Sequence, residues 1–265
     1  MDGRHVDIGG RRLYLESFGH GTLAVVFESG SGDGAASLSN LARAVQHCTR
    51  AICYDRAGVA QSDPAPTPRT SRDIADDLRR LLGAAGIAPP YILVGHSIAG
   101  LHLRVYAQRY PSDVAGMVLL DVAHPDQWQR ELDLLPAPGA KEPAAITAMR
   151  RTITAEWEDP STNDEGLDIA ASAVQVRAAG SLGDLPLVVI TAGIDTWDEG
   201  FPVDVAAALE QDWHRLQREL VALSTRSRHV IATESDHVIQ EGQPELVVAE
   251  IYRLVELVRA ERGRS

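Results

Sequence analysis

The sequence predicts an α/β fold, with a mostly parallel central sheet flanked by helices and a small helical insertion. Three observations predict it. Short apolar runs without polar alternation recur, as in Val25-Val26-Phe27 and Ile92-Leu93-Val94, the pattern of strands buried on both faces. Helix-like segments separate these runs. The rhythm then breaks between Asp121 and Leu187, a stretch too long for an ordinary connection and without a strand pattern.

The elements follow in chain order. His5-Val6-Asp7-Ile8, Gly9-Gly10 and Leu13-Tyr14-Leu15 read as a hairpin. The run Leu23-Ala24-Val25-Val26-Phe27 is the first buried strand and ends in the loop Glu28-Ser29-Gly30-Ser31-Gly32-Asp33-Gly34. A helix-like stretch covers 38–45, and the strand Ala51-Ile52-Cys53-Tyr54 ends at Asp55-Arg56. Thr70 with Asp73 fits a capping box, after which Ile74, Leu78, Leu81 and Leu82 share one helical face. Pro89-Pro90 stops that helix, and Tyr91-Ile92-Leu93-Val94 is a third buried strand followed by a helix to about 110. Met117-Val118-Leu119-Leu120, Leu187-Val188-Val189-Ile190 and His229-Val230-Ile231-Ala232 complete the strands, and an apolar-periodic helix spans 246–258. Residues 125–183 hold Trp128, Trp157 and an Ala-rich helical stretch near 169–179. They read as a helical cap within a single domain of residues 1–265.

Composition narrows the function classes. Hydrophobic residues make up 45% and charged residues 23%, as in an ordinary globular chain. The formal net charge of -12 argues against binding to nucleic acid or to anionic membranes, which need clustered Lys and Arg. The two cysteines, Cys48 and Cys53, would lie roughly 15 Å apart along a strand, too far for a disulfide, which tolerates about 7 Å. They are expected to be free thiols in a reducing compartment. The N-terminus lacks the pattern of a signal peptide, and no apolar run is long enough to span a bilayer. A cytoplasmic protein is expected.

The chemistry centres on Gly95-x-Ser97, between a buried strand and a helix. A serine on such a strained turn needs small neighbours, and Gly95, Ala99 and Gly100 provide them. The strict G-x-S-x-G pattern is broken by Ala99. The N–H of Ile98, at the start of the helix, is free to face a developing oxyanion. His124, just after the strand that ends at Asp121, is a candidate pocket-side residue.

Val94-Gly95-His96-Ser97-Ile98-Ala99-Gly100 resembles the nucleophile elbow of the α/β-hydrolase superfamily. Asp55-Arg56-Ala57-Gly58-Val59-Ala60-Gln61-Ser62 is similar to its D-R-x-G-x-G-x-S segment, with Ala60 in place of the second glycine. Arg109-Tyr110-Pro111, Val118-Leu119-Leu120-Asp121, Asp236-His237 and Gln243-Pro244 fall in the expected order, so the likeness runs from about residue 6 to 258. The resemblance implies a Ser–acid–His triad. His237, after the last strand and at the sheet edge of Ser97, is the implied base, while His96 is expected to line or buttress the site. Two residues fit the acid. Asp195 occupies the commoner superfamily location, whereas Asp121 follows an unbroken apolar strand and is preferred. The superfamily's loop after the first buried strand implies that the Ser31 N–H joins Ile98 as the second oxyanion donor.

The expected reaction is cleavage of a small-molecule carboxylic ester or lactone through an acyl-enzyme on Ser97. No cofactor and no metal are expected, since neither zinc-ligand spacing nor a nucleotide-binding glycine loop occurs. The alternatives are a thioesterase, a C–C bond hydrolase, an aminopeptidase, or a hydrolase-like ligand-binding protein. Haloalkane dehalogenase and epoxide hydrolase are disfavoured, because related enzymes carry Asp where Ser97 stands.

Overall fold

The apolar runs become interior strands because every second side chain on each has a helix layer to pack against. The computed structural model describes residues 2–194, 197 and 200–263. Its strands are β1 (Asp2–Asp7), β2 (Arg12–Phe18), β3 (Ala24–Glu28), β4 (Arg50–Tyr54), β5 (Tyr91–His96), β6 (Val114–Leu120), β7 (Leu187–Ala192) and β8 (Ser227–Ala232). They form one sheet in the order β1-β2-β4-β3-β5-β6-β7-β8. The β1–β2 hairpin is antiparallel and β2 pairs antiparallel with β4; every later pairing is parallel.

Side-chain alternation divides the core in two. Val26, Leu93, Met117, Leu119 and Val189 face one layer, with α2 (Ser71–Ala84) and α3 (Ala99–Arg109). Val25, Phe27, Val94, Val118 and Ile190 face the other, with α1 (Ser39–Val45) and the C-terminal helix over Pro244–Arg262. Each fully buried Val, Leu, Ile or Phe of this kind contributes about 1.5–3 kcal/mol. The Asp73 carboxylate accepts the Thr70 N–H at 2.8 Å, so the expected cap starts α2.

Between β6 and β7 lie α4 (Gln127–Leu134), α5 (Ala144–Glu158) and α6 (Ile169–Ala179), with no named strand among the described residues. Of these, only α6 was marked in the sequence. A further helix, α7 (Val203–Val221), joins β7 to β8 and was missed there altogether. Its signal is present: Val205, Leu209, Leu216 and Leu220 recur at helical spacing and are buried. The chain ends with α8 (Ile239–Gly242) and α9 (Pro244–Arg262). Cys48 and Cys53 are both free thiols. Among the described residues no helix is long and apolar enough to cross a membrane. The parallel strands β5, β6, β7 and β8 end at one edge of the sheet, where the loops after them converge.

Candidate active site

The turn after β5 puts Ser97 at φ +55, a left-handed conformation that costs a non-glycine residue about 1–3 kcal/mol. Three backbone bonds hold it there. Its N–H donates to Leu120 O at 3.2 Å, and its carbonyl accepts the N–H groups of Gly100 at 3.1 Å and Ala123 at 2.9 Å. The small neighbours have steric reasons. A Cβ on Gly95 would stand 2.6 Å from Leu103 Cδ1, and one on Gly100 would stand 2.4 Å from Val122 Cβ. Ala99 fits because Gly95 leaves room beside its methyl group.

Asp121 follows β6 at φ +43, its N–H donating to Ile190 O at 2.7 Å. Its buried carboxylate has three donors. Oδ2 accepts from His237 Nδ1 at 2.7 Å, while Oδ1 accepts the Ala192 N–H and the Trp213 Nε1–H, each at 3.0 Å. A carboxylate only accepts, so Nδ1 of His237 carries the proton and Nε2 of the neutral ring is left as an acceptor. The alternative acid, Asp195, lies outside the described residues.

His96 braces this arrangement from the far side of His237. Its Nε2–H donates to the His237 carbonyl at 2.9 Å, leaving Nδ1 to accept from Gln240 Nε2 at 3.3 Å. Burial, aided by the neighbouring His237, pushes the His96 pKa down to about 4, so the ring stays neutral at neutral pH. The two rings pack with centroids 4.7 Å apart.

A cavity of about 280 Å³ is lined by Ser97, Asp121 and His237 together with Glu131, Trp197 and Trp213. A second, of about 260 Å³, meets it at Ser97 and is lined by Ser31, Ile98, Trp128, Ile153 and Leu167. The five sequence-selected residues therefore line two cavities that meet at Ser97. Ile98 is the N-cap of α3, so its N–H precedes the first intrahelical bond. Burial first, then the charges of Asp212 and Glu156, push the Glu131 pKa up to about 8.

His124 is buried and lies outside the walls of both cavities. Its Nδ1 accepts the Asp126 N–H, and burial, followed by the charge of Arg104, pushes its pKa down to about 4. His124, Asp126 and Glu219 bring possible ligand atoms within 4.8 Å of one another. Both carboxylates are already paired, Asp126 with Arg177 at 2.6 Å and Glu219 with Arg130 at 3.3 Å, so the cluster fits a metal ion poorly. Sequence reasoning missed Trp213 together with α7, the helix that carries it.

A family model described as "alpha/beta hydrolase fold" matches residues 24–154. The chain is 28% identical over 97% of its length to "Probable transporter efuK" from Hormonema carpetanum, of which it spans 43%. It is 29% identical over 88% of its length to "Uncharacterized protein YqjL" from Bacillus subtilis (strain 168), covering 84% of that protein. Among solved structures, a thermophilic esterase from Thermogutta terrifontis superposes with a TM-score of 0.63 at 19% identity, covering 97% of this chain and 99% of that one. A haloalkane dehalogenase loop variant from Bradyrhizobium elkanii superposes with a TM-score of 0.71 at 15% identity, covering 99% of each chain. Likeness at such identities shows the fold and leaves the chemistry to the site. The chain has the α/β-hydrolase fold.

Proposed function

We propose that the protein is a serine hydrolase that cleaves small-molecule carboxylic esters or lactones, with Ser97, His237 and Asp121 as its triad. The single observation that carries this is the 2.7 Å bond from His237 Nδ1 to the buried Asp121, made on the wall of the cavity that Ser97 also lines. An Asp nucleophile would suit dehalogenation; a serine beside an oriented imidazole suits acyl transfer.

In this reading Ser97 Oγ bonds to the ester carbonyl carbon as its proton passes to His237 Nε2. The oxyanion forms between the N–H groups of Ile98 and Ser31. Collapse breaks the bond to the alcohol, which leaves with the proton from His237. Water then attacks the acyl-enzyme, giving a proton to His237. The second collapse releases the carboxylic acid and returns the hydrogen to Ser97. Asp121 stabilises the imidazolium in both halves. Residues 125–183 act as a cap within the single domain, supplying Trp128, Glu131, Ile153 and Leu167 to the walls. Cavities of about 280 and 260 Å³ suit short acyl and alcohol groups.

Short p-nitrophenyl esters test the proposal. Release of p-nitrophenol by the wild type, its loss by at least about 10³-fold in Ser97→Ala, and a fluorophosphonate adduct on Ser97 are expected. Binding of ester with no turnover above background would refute it.

A further inference from the structure

The loop between β3 and α1 carries the Ser31 N–H, and its direction is set by a neighbouring side chain. The peptide joining Gly30 to Ser31 is planar and trans, so its C=O and N–H point opposite ways. The carbonyl end is held: Arg56 Nη2 donates at 2.6 Å to Gly30 O, which also accepts the Asp33 N–H at 3.2 Å within the turn, and Nη1 donates to Ser29 O at 2.6 Å. The other side of the loop lies against His96 and the nucleophile, since a Cβ on Gly30 would stand 3.0 Å from His96 Nδ1 and 3.5 Å from Ser97 Cβ. Ser31 itself lines the cavity with Ser97 and Ile98.

Arg56 is in turn fixed by Glu165, from the segment between β6 and β7. Nε donates to Oε2 at 2.7 Å and Nη2 to Oε1 at 2.6 Å, the bidentate geometry that locks a guanidinium plane. The same Oε1 accepts the Gly32 N–H at 2.9 Å, so Glu165 grips the loop directly as well. Both side chains are buried, 2% and 8% exposed. Burial raises the Glu165 pKa, but the Arg56 bonds outweigh it and hold the carboxyl below its usual range. Glu28, 4.0 Å from Nη1, adds a second buried carboxylate, itself bonded to Tyr54 and His102.

We infer that Arg56 and Glu165 are positioning residues: together they aim the Ser31 N–H at the oxyanion and couple the cap to the catalytic loop. The inference rests on the serine-hydrolase reading and on Ser31 as the second donor. Losing an oxyanion donor lowers kcat about 10²–10³-fold, and misaiming one costs part of that. Glu165→Gln keeps an oxygen for Gly32 but loses the charge and one Arg56 acceptor.

The test uses the full chain, p-nitrophenyl butyrate and an alkyl boronic acid as a tetrahedral analogue. In Glu165→Gln, kcat is expected to fall about 10–30-fold with KM within about twofold, and boronate affinity to fall by a similar factor. Arg56→Lys, which cannot reach both carbonyls and Glu165, is expected to show the same pattern with a larger loss, and decides the matter if Glu165→Gln does not fold. Unchanged kcat, a rise in KM alone, or full retention of boronate affinity would overturn the inference while wild-type turnover kept the hydrolase reading intact. A wild type without esterase activity would overturn both.

Discussion

Replacing Asp121 with asparagine is the sharpest test of the triad, because the structure dictates which way the new amide must face. Oδ1 receives two groups that can only donate, the Ala192 N–H and the Trp213 Nε1–H. The asparagine oxygen therefore stays at that position, and the amide NH₂ faces His237. Flipping it would leave the buried Ala192 N–H and the half-buried Trp213 Nε1–H unsatisfied, the first alone costing about 1–3 kcal/mol, so the unflipped form is favoured by at least about 1 kcal/mol, or about fivefold. With an NH₂ opposite it, His237 Nδ1 has to accept, the ring proton moves to Nε2, and Nε2 can no longer take the Ser97 proton. A wrong tautomer of this kind costs about 10⁴ in kcat, or roughly 5.4 kcal/mol. Folding is little affected, since asparagine tolerates the φ of +43 as well as aspartate does. The assay compares kcat for p-nitrophenyl butyrate in wild type, Asp121→Asn and Asp195→Asn, with thermal melts alongside. An Asp121→Asn enzyme within about tenfold of wild type, or a collapse confined to Asp195→Asn, would refute the reasoning.

Two further predictions concern stability. Ala60 sits at φ +44 on the surface, where a left-handed backbone costs alanine about 1–2 kcal/mol and glycine nothing. After the extra chain entropy glycine loses on folding, Ala60→Gly is expected to gain about 0.5–1 kcal/mol and to raise the melting temperature by about 1–4 °C; a lower melting temperature would contradict this. Glu131 has a folded pKa raised to about 8 against an ordinary value of 4.5. The folded state then holds a proton that the unfolded chain has released. Its stabilising effect is complete below about pH 4.5 and is lost as pH rises through about 8. Glu131→Gln is expected to match wild type in melting temperature near pH 4.5 and to exceed it by about 2–4 °C at pH 8.5; an equal offset at both pH values would exclude the titration.

What the sequence made legible follows from how local each requirement is. The buried strands announce themselves because a strand covered on both faces must be apolar along its whole length, as Ile92, Leu93 and Val94 are. Ser97 is legible for a similar reason, since its turn constrains the residues next to it. The choice between Asp121 and Asp195 was not. It depends on where the loop after β8 brings His237, which lies 116 residues beyond Asp121. Trp213, 92 residues from Asp121, and Glu165, 109 from Arg56, leave no local mark at all. Their partners are chosen by tertiary packing, and nothing in their neighbours requires a donor or a carboxylate at those positions.

Backbone strain marks the site at Asp121 as well as at Ser97. Among the described residues three non-glycine positions have positive φ: Ala60, Ser97 and Asp121. Two of these carry the proposed nucleophile and acid, and both conformations are held by backbone bonds to neighbouring strands and loops. The third stands where the superfamily pattern has glycine, so the same backbone demand is met there by a residue ill suited to it. Strain at Ala60 is a substitution that stability can absorb. At Ser97 and Asp121 it recurs where each strand must end abruptly and turn its next side chain toward the cavity, which is what a triad assembled from separate loops requires.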